Sequence, residues 1–170
     1  MRIKRLDKVD EKFHARYDAR AKTYRYRVLQ APICSPFLSR YVYHHPYPLN
    51  RKRMSEAAAL LEGEHDFTSF AGSEGRPDGE EERGLESKSM VRRIFRSRLR
   101  WRPRTSILTY EIQGNGFLHH MVRNIVGTLL EVGAGKLAPG DVARILEARD
   151  RTLAGPTAPA QGLVLVKVEY

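Results

Sequence analysis

The residues with the clearest potential for chemistry are two histidines and an arginine in one stretch, residues 112–133. His119 and His120 precede Arg123, and apolar residues flank them in pairs at every fourth position. That spacing predicts an amphipathic helix that follows a glycine turn and ends at Gly133. His119 and Arg123 are four residues apart, so the helix would place both side chains on one face. In most helices with this spacing, such an arginine forms a surface salt bridge and such histidines are simply hydrogen-bonded. The periodicity therefore predicts a helix, but it does not predict a catalytic role for these residues.

The chain is strongly basic for an otherwise ordinary globular composition. Its 170 residues are enough for one domain, or slightly more, and 30 Lys and Arg residues against 20 Asp and Glu residues give a net charge of +10. An anionic partner is therefore expected: nucleic acid first, an acidic membrane surface second, with a protein that is merely basic as the remaining alternative. No apolar run reaches the length of a membrane span, and no signal-peptide pattern opens the chain. Cys34 is the single cysteine, which excludes an internal disulfide or a cysteine metal cluster and fits the cytoplasm.

Two segments combine a packing face with a row of arginines. From Thr23 to Leu29, aromatic and apolar residues (Tyr24, Tyr26, Val28) alternate with Arg25 and Arg27. From Val91 to Trp101, the apolar residues Phe95, Leu99 and Trp101 alternate with Arg96, Arg98 and Arg100. Period-two alternation predicts strands, each with one packed and one basic face. Interleaved rings and guanidinium groups suit RNA, although half-buried strands with solvated arginines fit the first segment at least as well. Three arginines on one strand face repel each other unless an anion lies over them, which favours nucleic acid.

The remaining segments complete an α+β layout. We expect a helix from the cap Asn50 to about Glu62, a mobile insertion at about residues 72–90, and a second hairpin strand over 106–113. A third helix should run from Pro139 to about Arg149.

Two proline-containing segments and the end of the chain carry further expectations. Residues 32–48 should form an extended connection, in which His44 and His45 are only a weak metal signal. Residues 154–162 should form a rigid loop of small residues. The apolar final strand, Leu163–Tyr170, should be central in the sheet. The sum is a sheet of four or five mostly antiparallel strands with two to three helices on one face.

Five motifs along the chain resemble one family. They are FHAR at 13–16, TYRY at 23–26, GEHDFTSF at 63–70, NGFLHHMVRNIVG at 115–127 and AGPTAPAQGL at 154–163. In this order they resemble the C-terminal half of the bacterial tRNA pseudouridine synthase A (TruA) family, and they are spread over most of the chain. The resemblance implies a ferredoxin-like-derived half-domain and the isomerisation of uridine to pseudouridine in the anticodon stem-loop of tRNA. It also implies a homodimer and no metal or organic cofactor.

The resemblance also implies roles for individual residues. Tyr24 would pack against the target base, and Arg123 would pair with the catalytic aspartate and hold it ionised. RNA contacts are expected from the basic strands and the histidine pair, namely Arg25, Arg27, Arg96, Arg98, Arg100, His119 and His120.

The aspartate motif of the family, Gly-Arg-Thr-Asp-Ala-Gly, is not in this sequence. We expect the chain to begin about where the family's second half begins, as a cloned or truncated fragment or through a start site placed too late, and to lack turnover alone. Two other functions stay open: a non-catalytic RNA-binding module of ferredoxin-like shape, and a nuclease that uses His119 and His120. Adjacent helical residues point about a hundred degrees apart, which disfavours the nuclease.

Overall fold

The structure is a computed structural model, and it describes residues 6–15, 17–72 and 89–170. The insertion predicted at about 72–90 falls mainly on residues 73–88, which lie outside the described residues. The elements, in chain order, are β1 (Ala21–Leu29), β2 (Tyr43–His44), α1 (Arg51–Ala59), β3 (Gly63–Asp66), β4 (Val91–Arg102), β5 (Ile107–Gly114), α2 (Met121–Gly133), α3 (Asp141–Ala148) and β6 (Leu163–Glu169).

Six strands of the described residues form one mixed sheet in the order β2-β1-β5-β4-β3, with β6 also paired to β1. β1 runs parallel to β2 and antiparallel to β5 and β6, and β4 runs antiparallel to β3 and β5. The predicted α+β class is therefore confirmed, while the expectation of a mostly antiparallel sheet of four or five strands is corrected to a mixed sheet of six. The parallel pair was missed because β2 has only two residues, within the segment expected to be an extended connection.

A bulge in β4 changes which of its residues pack. Ile94 pairs with Gly114 and Arg96 with Gln113, so Phe95 is an extra residue without a partner on β5. One inserted residue shifts the two-residue alternation of everything after it. Ile94 and Ser97 are consequently buried and Phe95 is 47% exposed, which corrects the expectation that Phe95 packs with Leu99 and Trp101.

The helices pack on one face of the sheet, and α2 forms the centre of the core. Every residue of α2 is buried except Arg123 and Glu131. Its apolar side chains pack against alternate residues of β1 and β5, whose side chains point to the helix side of the sheet. Tyr26 and Ile112 are examples, and both are fully buried. Burial of each large apolar side chain contributes about 1.5–3 kcal/mol, which makes this contact the main source of stability. The predicted cap is confirmed, since the side chain of Asn50 accepts a hydrogen bond from the backbone N–H of Arg53.

The last strand, β6, does not have the central position in the sheet that its apolar composition led us to expect. β6 pairs with β1 alone among the described strands, and its residues Val164, Leu165 and Val166 are 43–47% exposed. The expectation of a central strand is therefore wrong. A run of apolar residues indicates that a strand has apolar surface to bury, but it does not indicate whether the strand pairs with one neighbouring strand or with two.

Within the described ranges, no helix is long and apolar enough to cross a membrane. The same residues hold no group of three or more His, Cys, Asp or Glu side chains that could bind a metal ion.

Candidate functional site

Tyr24 lies at the centre of the sheet, between two neighbouring strands. It pairs with Ile112 of β5 on one side and with Leu165 of β6 on the other. Its ring is half-buried and packs edge-on against Phe117, with ring centroids 5.1 Å apart. The two-residue period of β1 directs Tyr24 and Tyr26 to the same face, the one that the helices cover. Tyr24 is therefore a partly accessible ring on the helix side of the sheet.

Arg123 is held at both its backbone and its side chain by one residue of the loop 154–162. Its Nε donates to the carbonyl oxygen of Ala158 at 2.7 Å, and its own carbonyl oxygen accepts from the N–H of Ala158 at 3.1 Å. No Asp or Glu of the described residues forms an ion pair with this guanidinium. The two Nη groups likewise have no hydrogen-bond partner there. The loop thus fixes the direction of the side chain and leaves the outer fork of the guanidinium available.

Tyr26 connects the strand of Tyr24 to the loop that holds Arg123. Its hydroxyl donates to the carbonyl oxygen of Pro159 at 2.6 Å, next to Ala158. Burial raises the pKa of Tyr26 well above its usual value, the neighbouring Tyr43 raises it further, and the positive charge of Arg123 opposes the shift. Tyr26 is therefore a neutral hydrogen-bond donor at physiological pH. Through it, Tyr24 and Arg123 are tied to the same side of the sheet.

A second set of hydrogen bonds ties the loop 154–162 to α2. Arg151 donates to the carbonyl oxygens of Ala154 and Gly155 at 3.3 and 3.0 Å, and to the side-chain oxygen of Asn124 at 3.1 Å. Asn124 is fully buried, and its amide nitrogen donates to the carbonyl oxygen of Phe70 at 2.7 Å. Because a buried amide left unpaired costs about 1–3 kcal/mol, this network specifies one position for the loop.

Two glycines allow the loop to touch the helix backbone. A Cβ atom at Gly127 of α2 would lie 1.6 Å from the carbonyl oxygen of Pro156, and one at Gly155 would lie 2.7 Å from the backbone of Thr128. Thr128 in turn accepts a hydrogen bond from the N–H of Gly155 through its hydroxyl, at 2.9 Å. Helix and loop therefore pack backbone against backbone, one turn beyond Arg123.

The histidine pair does not lie on the helix as expected. α2 begins at Met121, and His120 precedes it with φ +56°, in the left-handed region. The rings of His119 and His120 are stacked, with centroids 3.8 Å apart, so neither the shared face with Arg123 nor the hundred-degree separation applies. The helix begins later than the apolar pattern because Phe117 and Leu118 pack against the core from the loop that precedes α2.

The arginines expected to contact RNA lie on the other side of the sheet from Tyr24. Arg25 and Arg27 alternate with the tyrosines of β1, and Arg25 donates to the carboxylate of Glu111 at 2.8 Å. Arg96, Arg98 and Arg100 of β4 are exposed. The structure thus brings Tyr24 and Arg123 to one face of the sheet and these five arginines to the opposite face.

One cavity of about 660 Å³ lies beside the loop 154–162, but it is not lined by Tyr24 or Arg123. Its lining comes from β2 and the segment after it, from the second half of α2 and the residues that follow it, and from the loop, and it includes Tyr43, His45, Tyr47, Glu131, Lys136 and Pro159. Burial lowers the pKa of His45, so this imidazole is neutral near pH 7.

Sequence reasoning missed the residues that hold the loop, chiefly Tyr26, Asn124, Thr128 and Arg151. A signal was present, because Asn124 and Thr128 are four residues apart and polar on a helix that is otherwise apolar except for Arg123 and Glu131. Gly127 beside them is a further sign, since a glycine inside a helix costs about 1 kcal/mol and needs a packing reason.

Comparison with known proteins agrees with the motifs. A sequence model of the tRNA pseudouridine synthase family matches residues 57–170. The tRNA pseudouridine synthase A of Solibacter usitatus (strain Ellin6076) is 50% identical over 170 residues, which cover the whole of this chain and 64% of that protein.

Two further relatives of the same name give similar values. That of Limosilactobacillus reuteri (strain DSM 20016) is 45% identical over 168 residues, 99% of this chain and 62% of the relative. That of Geobacillus sp. (strain WCH70) is 44% identical over 168 residues, 99% of this chain and 63% of the relative. The chain spans less than two thirds of the length of these relatives. The resemblance seen in the motifs is confirmed, and the chain belongs to the tRNA pseudouridine synthase family.

Proposed function

We propose that this chain forms the base-binding and arginine-bearing side of a site that isomerises uridine to pseudouridine in the anticodon stem-loop of tRNA. The names of the relatives support the reaction and the substrate class. The observation that carries the proposal is the clamp on Arg123. Its Nε is bound to Ala158, its outer nitrogens have no partner in the described ranges, and Tyr24 lies on the same face of the sheet.

The reaction is chemically self-contained. Uridine and pseudouridine are isomers: the bond between N1 and C1′ breaks, a bond between C5 and C1′ forms, C5 loses a proton and N1 gains one. No oxidant, reductant or group donor enters this balance. The side chains of this chain would bind and orient: the ring of Tyr24 would pack against the uracil that has left the stack, and Arg123 would position an anionic catalyst.

That catalyst is proposed to be the carboxylate of an aspartate in the part of the relatives that this chain does not span. A guanidinium whose outer nitrogens are free offers a carboxylate two parallel hydrogen bonds. Its charge would lower the pKa of the carboxyl group and keep it ionised at neutral pH. The clamp by Ala158 would set the angle at which the carboxylate approaches the ribose.

The family resemblance supports several finer proposals. RNA would contact the arginines of β1 and β4 and the histidine pair, namely Arg25, Arg27, Arg96, Arg98, Arg100, His119 and His120. The complete enzyme would be a cytoplasmic homodimer without a cofactor, built on a ferredoxin-like-derived half-domain.

The test compares this chain with a chimera in which it is joined to the N-terminal segment of the Solibacter usitatus relative. Pseudouridine is measured in an unmodified tRNA transcript. We expect no turnover from the chain alone and turnover from the chimera. In the chimera, Arg123→Gln should reduce kcat by roughly 10²–10³, the range for removal of a key electrostatic contact. Tyr24→Ala should reduce kcat/KM by about 10–100, the equivalent of roughly 1–3 kcal/mol of lost base packing. Arg144→Gln, on an exposed arginine of α3, is the control and should leave turnover unchanged.

Three outcomes would contradict the proposal. Turnover by the isolated chain would show that the missing aspartate motif is not needed. A chimera that folds and binds tRNA but forms no pseudouridine, or one in which Arg123→Gln is as active as the parent, would favour a non-catalytic RNA-binding module.

A further inference from the structure

Arg151 is a second arginine beside the loop 154–162, and it has no part in the reaction as described so far. It begins a short 3₁₀-helical turn, Arg151–Leu153, directly before the loop. Its side chain is half-buried, and no carboxylate of the described ranges forms an ion pair with it. Its hydrogen-bond partners are all uncharged oxygen atoms, namely those of Ala154, Gly155, Thr157 and Asn124. A guanidinium group that donates to four neutral acceptors holds polypeptide in place and does not neutralise an acidic group.

The two Nη atoms of Arg151 bind different parts of the molecule. Nη1 donates to the carbonyl oxygens of Ala154 and Gly155, at 3.3 and 3.0 Å, in the first part of the loop. Nη2 donates to the hydroxyl of Thr157 at 3.2 Å and to Oδ1 of Asn124 at 3.1 Å. The hydroxyl of Thr157 donates to the same Oδ1 at 2.7 Å, and Asn124 is fully buried on α2. The planar fork of one side chain therefore joins the first part of the loop to the helix that carries Arg123.

Ala158, the residue that holds Arg123, lies between two anchored neighbours. Thr157 precedes it and is held by Arg151. Pro159 follows it, and its carbonyl oxygen accepts a hydrogen bond from a buried tyrosine of β1 at 2.6 Å. The carbonyl oxygen of Ala158 is thereby fixed relative to Nε of Arg123, which lies 2.7 Å away. Loss of the anchor at Thr157 would let this oxygen move and would release the Nε–H group.

We propose that Arg151 is a positioning residue for the isomerisation, because through the loop it sets the direction in which Arg123 presents its outer nitrogens to the catalytic carboxylate. This inference rests on the proposed function, since it takes Arg123 as the partner of that carboxylate. Two parallel hydrogen bonds between a guanidinium and a carboxylate require a defined mutual orientation. A displacement of about 1 Å in such a contact can lower the rate by about 10²-fold. Arg151 touches neither the base nor the carboxylate, so its removal lowers the rate of the chemical step and leaves the affinity for RNA unchanged.

The experiment compares three substitutions at the anchor with one control. Arg151→Gln removes the charge and the fork, whereas Arg151→Lys keeps the charge but offers no planar fork. Thr157→Val removes a single hydroxyl at an exposed position, so it tests the same anchor with little risk to folding. Asn50→Ala is the control for a general loss of stability, because it removes the cap of α1, away from the loop.

The first measurement is pseudouridine formation by the chimera with the Solibacter usitatus segment. We expect kcat to fall about 10–100-fold in Arg151→Gln and by a similar factor in Arg151→Lys, with KM within about twofold of the parent value. Thr157→Val leaves Arg151 three of its four acceptors and should lower kcat by about 2–10-fold. Asn50→Ala should leave kcat and KM within about twofold of the parent values.

The second measurement uses the chain alone and needs no turnover. In protein made with isotope-labelled arginine, the rate at which the Nε–H proton of Arg123 exchanges with water reports its hydrogen bond to Ala158. We expect this proton to exchange at least about 10-fold faster in both Arg151 variants than in the parent or in Asn50→Ala. Thermal midpoints above the assay temperature show that every variant is folded.

Several results would overturn the inference. Full kcat in Arg151→Gln would show that the loop needs no anchor, and full kcat in Arg151→Lys would show that charge alone suffices. A raised KM with unchanged kcat would make Arg151 a residue that binds RNA. An equal fall of kcat in Asn50→Ala, or a parental exchange rate of the Nε–H proton in the Arg151 variants, would reduce the effect to one on stability. A parent chimera without turnover, combined with faster exchange in the Arg151 variants, would instead count against the proposed function alone.

Discussion

Replacing Gly127 by alanine tests whether the contact between α2 and the loop 154–162 is as close as described. The new Cβ atom would lie 1.6 Å from the carbonyl oxygen of Pro156 and 2.8 Å from its carbonyl carbon. Real Cβ atoms do not approach backbone atoms this closely, so the loop has to move away from the helix. A loop that moves would lose the hydrogen bond from Gly155 to Thr128 and stretch the clamp between Ala158 and Arg123.

Two effects of opposite sign decide the result. Alanine is favoured over glycine inside a helix by about 1 kcal/mol. Forcing an extra methyl group into a packed site costs about 1–3 kcal/mol, and each buried hydrogen bond that breaks adds about 0.5–1.5 kcal/mol. If one or two of the hydrogen bonds between helix and loop break, the substitution should lower the free energy of unfolding by roughly 0.5–5 kcal/mol.

The assay is urea unfolding of the parent chain and of Gly127→Ala, with Gly140→Ala as the control. A Cβ atom at Gly140 has no heavy atom within 4 Å, so the control should change stability by no more than about 0.5 kcal/mol. Amide hydrogen exchange adds a local readout, since the N–H of Ala158 should lose protection in Gly127→Ala. A Gly127→Ala protein that is as stable as the parent, or more so, would refute the close backbone contact, because helix propensity alone predicts stabilisation.

Three further predictions concern stability. Ser69→Ala removes a fully buried hydroxyl that donates to a carbonyl of α3 at 2.5 Å, and it should lower the free energy of unfolding in urea by about 1–3 kcal/mol. The control Ser39→Ala, at an exposed serine, should change the free energy of unfolding little. Equal effects of the two substitutions would contradict this prediction. Asn50→Ala removes the cap of α1 and should lower the free energy of unfolding by about 0.5–2 kcal/mol, while a neutral result would show that the cap is dispensable. Burial raises the pKa of Tyr26 and of Tyr110 in the folded chain. As the pH rises above 10, these two hydroxyls therefore ionise in the unfolded chain before they ionise in the folded chain. The stability that both tyrosines contribute is complete below pH 10 and should fall above it, by up to about 1.4 kcal/mol per pH unit for each tyrosine, and Tyr26→Phe should reduce the slope.

The parts of the fold that could be predicted are those determined by sequence patterns within a short segment. The four-residue spacing of apolar pairs predicted α2 and its end at Gly133, and the alternation of tyrosine and arginine predicted β1. Asn50 predicted the start of α1, because a cap satisfies backbone groups within its own first turn. In each case the deciding interaction lies within a few residues of the signal.

The parts that could not be predicted depend on contacts between distant segments. The bulge at Phe95 exists because β4 meets β5 in a shifted register, which a reading of β4 alone does not contain. His120 adopts a left-handed conformation between the packed residues before it and the helix after it, so the helix begins late. The same applies to the site: the clamp on Arg123 joins residues 35 positions apart in the chain, and only the folded loop reveals it.

The register of β1 is the single structural variable on which both proposed contacts with RNA depend. Tyr24 and Arg25 are consecutive, so a slip of one residue would exchange the ring and the guanidinium between the two faces. The sheet resists that slip on both sides. On the helix side, Tyr26 is fully buried and hydrogen-bonded to Pro159, and the slip would bury Arg27 in its place. On the side of the sheet opposite the helices, the ion pair between Arg25 and Glu111 joins directly paired positions and would be broken by the same slip. Tyr26 and Glu111 therefore hold the same register of β1 from opposite sides of the sheet. That register directs Tyr24 to the helix side and Arg25 to the opposite side.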